Sequence, residues 1–161
     1  YLELVDGVEK VMGEELERAY PGYQGQGAEL VGLFWFQGIA DGTSPVKAAE
    51  YESNLANLIR DLRKDWNAPN LPVVVTALSK SGGMDQNQQN VFDAQMSVGN
   101  PDIYPEFSGN VTSIDTRPMC RPARKCPGGR DRYSGNALSY LETGDAMAKA
   151  MLRLLERSAS K

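Results

Sequence analysis

The sequence predicts an α/β protein, a three-layer α/β/α sandwich in which helices cover both faces of a parallel sheet. Two observations carry this. Helical and strand-like segments alternate in the order α-β-α-β-α-β-α, the rhythm that produces parallel sheets through crossover connections. The strand-like segments are continuous apolar runs rather than alternating ones, as in strands covered on both faces. A length of 161 residues suits one domain spanning residues 1–161.

Each element follows from local pattern. Leu4, Val5, Val8, Val11, Met12, Leu16 and Ala19 recur at helical spacing, so residues 3–19 read as an amphipathic helix. "PGYQGQG" ends it. Residues 30–36 read as a doubly covered strand. After "DGTSP" a second helix runs over 46–66, with Tyr51, Leu55, Leu58, Ile59, Leu62 and Trp66 as its inner stripe. Residues 71–78, "LPVVVTAL", form another apolar strand. Residues 88–98 read as a third helix with Val91, Phe92, Gln95 and Val98 on one side. "GNPDIYPEFSG" is irregular, and 110–116 read as the third strand. A Pro-, Gly- and Arg-rich loop covers 117–134. The last helix runs over 136–157, with Ala137, Tyr140, Leu141, Gly144, Met147, Ala148, Met151, Leu152 and Leu155 as its buried face. The first helix has no strand before it, and the chain opens at Tyr1 in mid-rhythm. The expectation is a C-terminal portion of a longer domain whose first strands are missing.

Composition narrows the function classes. A net charge of −4 argues against nucleic acid as partner, because phosphate binding needs a basic face. The densest basic stretch, Arg121 to Arg132, reads as a solvated loop ahead of an anion site. No apolar run reaches the ~20 residues of a membrane span. With no His and only two Cys, neither a zinc site nor another metal or cofactor is expected. Cys120 and Cys126 either close a small disulfide loop or stay as two thiols. Asn110-Val111-Thr112 fits a glycosylation acceptor. Disulfide and glycan would both belong to an extracytoplasmic or secretory-pathway protein.

Ligands of open parallel sheets gather beyond the carboxyl ends of the strands. Gln37, Gly38 and Asp41 arrive there, as do Ser79 to Asp85 and the 117–134 loop. The Gln37 amide and Gly38 N–H suit an oxyanion in acyl transfer; the competing reading is a tight turn whose Gln satisfies backbone groups. Asp41 either orients a base or a substrate hydroxyl, or caps the following turn. Trp35 reads as core. "SGG" (81–83) is a weak anion cradle, and Lys80 has nothing around it that would make it a base.

Several segments together carry a resemblance: "GLFWFQGIAD", "AAEYESNLANLIRDLRKDWNAPNLPVVV", "NVFDAQMSV" with "YPEFSGNV", and "YSGNALSYLETGDAMAKAML". In this order they resemble the sialate O-acetylesterase-like branch of the SGNH-hydrolase superfamily, a group of carbohydrate esterases, over nearly the whole chain. The resemblance implies an α/β/α sandwich that removes acetyl groups from sugars. Its nucleophilic Ser belongs to a Gly-Gln-Ser-Asn block on the first strand, which would fall before Tyr1. Its His precedes the last helix, and the matching stretch, Arg132-Tyr133-Ser134-Gly135-Asn136-Ala137, puts Arg132 at that position. Ile39 stands where many members carry Glu, whereas Gln37, Gly38 and Asp41 match. Arginine, with a pKa above 12, is no general base near neutrality. The expectation is a degenerate, non-catalytic domain that binds or builds, with Gln37, Gly38, Asp41 and Arg132 around the old pocket. Arg132 there either pairs with Asp41 or Asp131 or favours an anionic sugar ligand. The alternative is the C-terminal piece of an active O-acetylesterase completed by a missing segment carrying the Ser. Either way a protein partner or that segment is expected to cover the sheet edge.

Overall fold

A computed structural model describes residues 1–79, 83–121 and 136–159. Three strands, β1 (Leu33–Trp35), β2 (Val73–Ala77) and β3 (Val111–Asp115), form a sheet in the order β1-β2-β3. Both pairings are parallel, with Leu33 opposite Val73 and Val73 opposite Val111. β2 lies in the middle and every one of its residues is buried, as its unbroken Val-Val-Val-Thr-Ala sequence requires.

Two helices cover one face. α3 (Pro45–Asp65) starts at Ser44, whose hydroxyl accepts the Lys47 N–H, with Pro45 at the first helical position. α4 (Gln86–Val98) starts at a capping box, in which Asp85 accepts the Gln88 N–H at 3.0 Å and Gln88 accepts the Asp85 N–H at 3.1 Å. Tyr51, Leu55 and Ile59 of α3 and Val91, Ala94 and Val98 of α4 pack with Val73 and Val75. Leu58 and Trp66, expected on the inner stripe, are only half-buried. Where α4 ends, a Cβ on Gly99 would lie 2.3 Å from the Ser113 backbone nitrogen. Only glycine permits that approach of helix to strand.

α5 (Ala137–Ala159) covers the other face, where Val74 meets Ala150, Met151 and Leu154. This corrects the expected buried face. Ala137, Tyr140, Leu141, Gly144, Ala148 and Leu152 are exposed, Leu141 by 69%. Ser139 and Thr143 are buried instead, because each hydroxyl has a carbonyl to donate to: Met119 O at 2.6 Å and Ser139 O at 2.8 Å. β1 also departs from expectation. It is three residues long and among the described residues pairs with β2 alone, and Phe34, in register with Val74, stays 48% exposed.

The expected N-terminal helix is present but broken. α1 (Leu2–Lys10) passes through a π-helical turn (Val11–Glu15) into α2 (Leu16–Ala19), with non-helical backbone at Gly13. Val5 is the buried residue of α1, and the Tyr1 hydroxyl donates to Asp65 at the end of α3. The phenol is pushed up to about 12, mainly by that hydrogen bond.

At the amino ends of the strands sits a buried guanidinium. Arg63 donates to Leu71 O at 2.8 Å and to Asn110 Oδ1 at 2.9 Å, and stacks over the Phe107 ring. Its hydrogen-bond partners are carbonyl and amide oxygens; desolvation lowers its pKa, though not into a range where arginine discharges. Asn110, the candidate glycosylation acceptor, is half-buried with its amide oxygen held in this way. Among the described residues no helix is long and apolar enough to cross a membrane.

Candidate functional site

At the carboxyl end of β1 the chain leaves the sheet and reverses. Gly38 sits at φ +143°, and its carbonyl accepts the Gly42 N–H at 3.2 Å. A 3-10 turn (Asp41–Thr43) follows and leads into α3. The reversal is held by buried polar groups. The Gln37 carbonyl accepts two hydrogen bonds, from Tyr51 OH at 2.8 Å and Gln95 Nε2 at 2.6 Å. Tyr51 OH accepts from Trp35 Nε1 at 3.1 Å and from Gln95 Nε2 at 3.0 Å. Gln95 Oε1 accepts the Leu78 N–H just past β2 at 2.9 Å. One phenol has one donor and two acceptor sites, and one primary amide has two donors, so both groups are fully used.

Side chains of the same turn pair with each other. Gln37 Nε2 donates to Asp41 Oδ2 at 2.6 Å, and Gln37 Oε1 lies 3.2 Å from Tyr51 OH. Asp41 therefore holds Gln37, and Ser44 rather than Asp41 caps α3. Burial raises the Tyr51 pKa, so the phenol stays protonated near neutrality.

A cavity of about 40 Å³ opens beside the turn. Gly38 and Ile39 line it after β1, Leu78 and Ser79 after β2, and Gln88 and Val91 from α4. Its walls are mainly apolar, and a space of this size holds about one water.

Ser79 leads on to β3. Its N–H donates to Thr116 Oγ1 at 3.2 Å, which donates to Ala77 O at 2.8 Å. Cys120 is a free, half-buried thiol 3.6 Å from Thr116 O. Burial pushes its pKa up, against a smaller opposing effect from a hydrogen bond with Ser79. A thiol held protonated is a poor nucleophile and a poor metal ligand. Among the described residues no three His, Cys, Asp or Glu side chains cluster for a metal.

The structure thus brings Gln37, Gly38 and Asp41 together. Arg132, Cys126, Lys80 and the first residues of "SGG" lie outside the described residues. Arg121, from the basic stretch, pairs with Glu142 of α5. Asn136 accepts the Ser139 N–H at 3.1 Å at the start of α5. Tyr51, Gln95 and Trp35 were absent from the sequence-derived site. The signal for Gln95 was available: an amide on an apolar helix face, fully buried, needs partners.

A family model described as carbohydrate esterase, sialic acid-specific acetylesterase, matches residues 9–153. A probable carbohydrate esterase from Arabidopsis thaliana is 37% identical over 57 residues, which are 35% of this chain and 22% of that protein. The crystal structure of that Arabidopsis protein superposes with a TM-score of 0.60 at 24% identity, over 90% of this chain and 51% of the solved chain. At that identity the likeness is one of fold. The chain spans about half the length of this solved relative.

Proposed function

The chain belongs to the carbohydrate esterase, sialic acid-specific acetylesterase family, and from that premise we propose that it is a degenerate member, binding or building rather than hydrolysing. The observation that carries this reading is the lack of histidine. Serine acyl transfer needs a group that takes the hydroxyl proton near neutrality, and by resemblance Arg132 occupies that group's position. The pocket is consistent with disuse. The Gln37 amide is engaged by Asp41. The ligand class that fits the inherited rim is carbohydrate, and Arg132 would favour one bearing a carboxylate or sulfate.

A second reading is favoured by two observations: the chain spans 51% of the solved relative, and β1 exposes Phe34 at the sheet edge. In this reading the chain is the C-terminal part of an active O-acetylesterase, completed at that edge by a segment or partner carrying the nucleophile. An acetyl-ester assay on the full-length native protein, with an O-acetylated sugar, decides between them. The degenerate reading expects no turnover above the buffer rate. Robust turnover, abolished by Gln37→Ala, refutes it.

A further inference from the structure

We propose that Gln95 and Tyr51 are positioning residues that fix the direction of the Gly38 N–H at the pocket. The inference holds whether or not an ester is cleaved there. It starts from one peptide unit. The Gln37 carbonyl and the Gly38 N–H belong to the same plane, and no peptide bond in the described chain is cis. In a planar trans peptide the N–H points opposite to the C=O. Whatever grips the Gln37 oxygen therefore aims the Gly38 hydrogen.

The grip is double and buried. Tyr51 OH and Gln95 Nε2 reach the oxygen at 2.8 and 2.6 Å and reach each other at 3.0 Å. Gln95 is 0% and Tyr51 5% exposed, so neither is free to swing into solvent. The far side of the Gln95 amide is anchored by the Leu78 N–H, which ties the end of β1 to the end of β2. On the other side of Gly38 its own carbonyl is taken by Gly42. Gly38 is buried, yet its N–H has no acceptor among the described residues. It is a donor held in a set direction, away from the Tyr51–Gln95 pair.

Nuclear magnetic resonance of the isotope-labelled full-length protein tests this without any ligand. Tyr51→Phe removes one donor and keeps the ring; Gln95→Met removes the amide and keeps the bulk. The expected result is a displaced Gly38 amide and Gln37 carbonyl resonance in both variants. The Trp35 indole N–H should shift in Tyr51→Phe. Exchange at the Leu78 amide should rise on the order of tenfold in Gln95→Met only, the effect of one lost hydrogen bond. Val98→Ala, a core truncation in the same helix, should lower stability and leave these signals in place. The proposal is overturned if Gly38 and Gln37 are unmoved in the folded variants, or move equally in Val98→Ala. If Gln95→Met does not fold, Tyr51→Phe decides by the same signals.

Discussion

Replacing Gly38 by alanine tests how tightly the turn after β1 is built. Two costs add. At φ +143° an L side chain is strained by about 1 to 3 kcal/mol. The new methyl would also lie 2.7 Å from Gln95 Nε2 and 3.0 Å from both Tyr51 OH and Val91 Cγ1. These neighbours are buried and hydrogen-bonded or packed, so forcing them apart adds about 1 to 3 kcal/mol. The expected loss is therefore about 2 to 6 kcal/mol, against a typical domain stability of about 5 to 15 kcal/mol. Two glycines separate the contributions. Gly27 has φ +82° and nothing within 4 Å of where a methyl would stand, so Gly27→Ala should show backbone strain alone, about 1 to 2 kcal/mol. Gly144 lies in α5 with open space around it, so Gly144→Ala should stabilise by about 0.5 to 1 kcal/mol through helix propensity. Urea unfolding of the three variants gives the differences. If Gly38→Ala costs no more than Gly27→Ala, the turn is loose and the packing described around it is wrong.

Two further outcomes follow from the ends of helices. Asp85→Ala removes one half of the capping box of α4 and should cost about 0.5 to 2 kcal/mol in the same unfolding assay, whereas a change below about 0.3 kcal/mol would mean that the box does not form. The Tyr1 phenol, raised from 10.0 to about 12 by Asp65, binds its proton more tightly in the folded state. Its contribution to stability is thus fully present below pH 10 and lost as pH climbs through about 12. Alkaline absorbance titration should show late tyrosines, since Tyr51 and Tyr104 are raised as well, and one fewer of them in Tyr1→Phe; an unchanged titration in that variant would rule the contact out.

The parallel sheet with helices on both faces was legible because β2 states its environment in composition: Val73 to Ala77 is a continuous, mainly apolar run and ends up buried on both faces; the strand order was not. The face of α5 was not. Its sequence carries two adjacent apolar stripes, and periodicity alone ranks Leu141 and Leu152 above Ser139 and Thr143. Hydroxyls that find a carbonyl can be buried at little cost, and only the position of Met119 O reveals that one does. β1 was misread for a similar reason, since an apolar run records what a strand can tolerate, not whether a neighbour is present. The Gln37–Gly38–Asp41 group was legible as a strand-end motif. Its internal wiring was not, because Tyr51 and Gln95 come from 14 and 58 residues further along the chain.

Arg63 makes the two ends of this sheet depend on different kinds of partner. Its guanidinium closes the amino end by gripping main-chain and amide oxygens, and a charge that discharges only at extreme alkalinity makes that closure indifferent to ordinary changes of pH. Loop carbonyls are present whatever the residue, so Leu71 can be exchanged for another side chain without loosening the bond to its oxygen. The opposite end depends on particular side chains. A substitution at Tyr51 or Gln95 therefore reaches the turn after β1 directly, while the Arg63 clasp at the amino end stays in place.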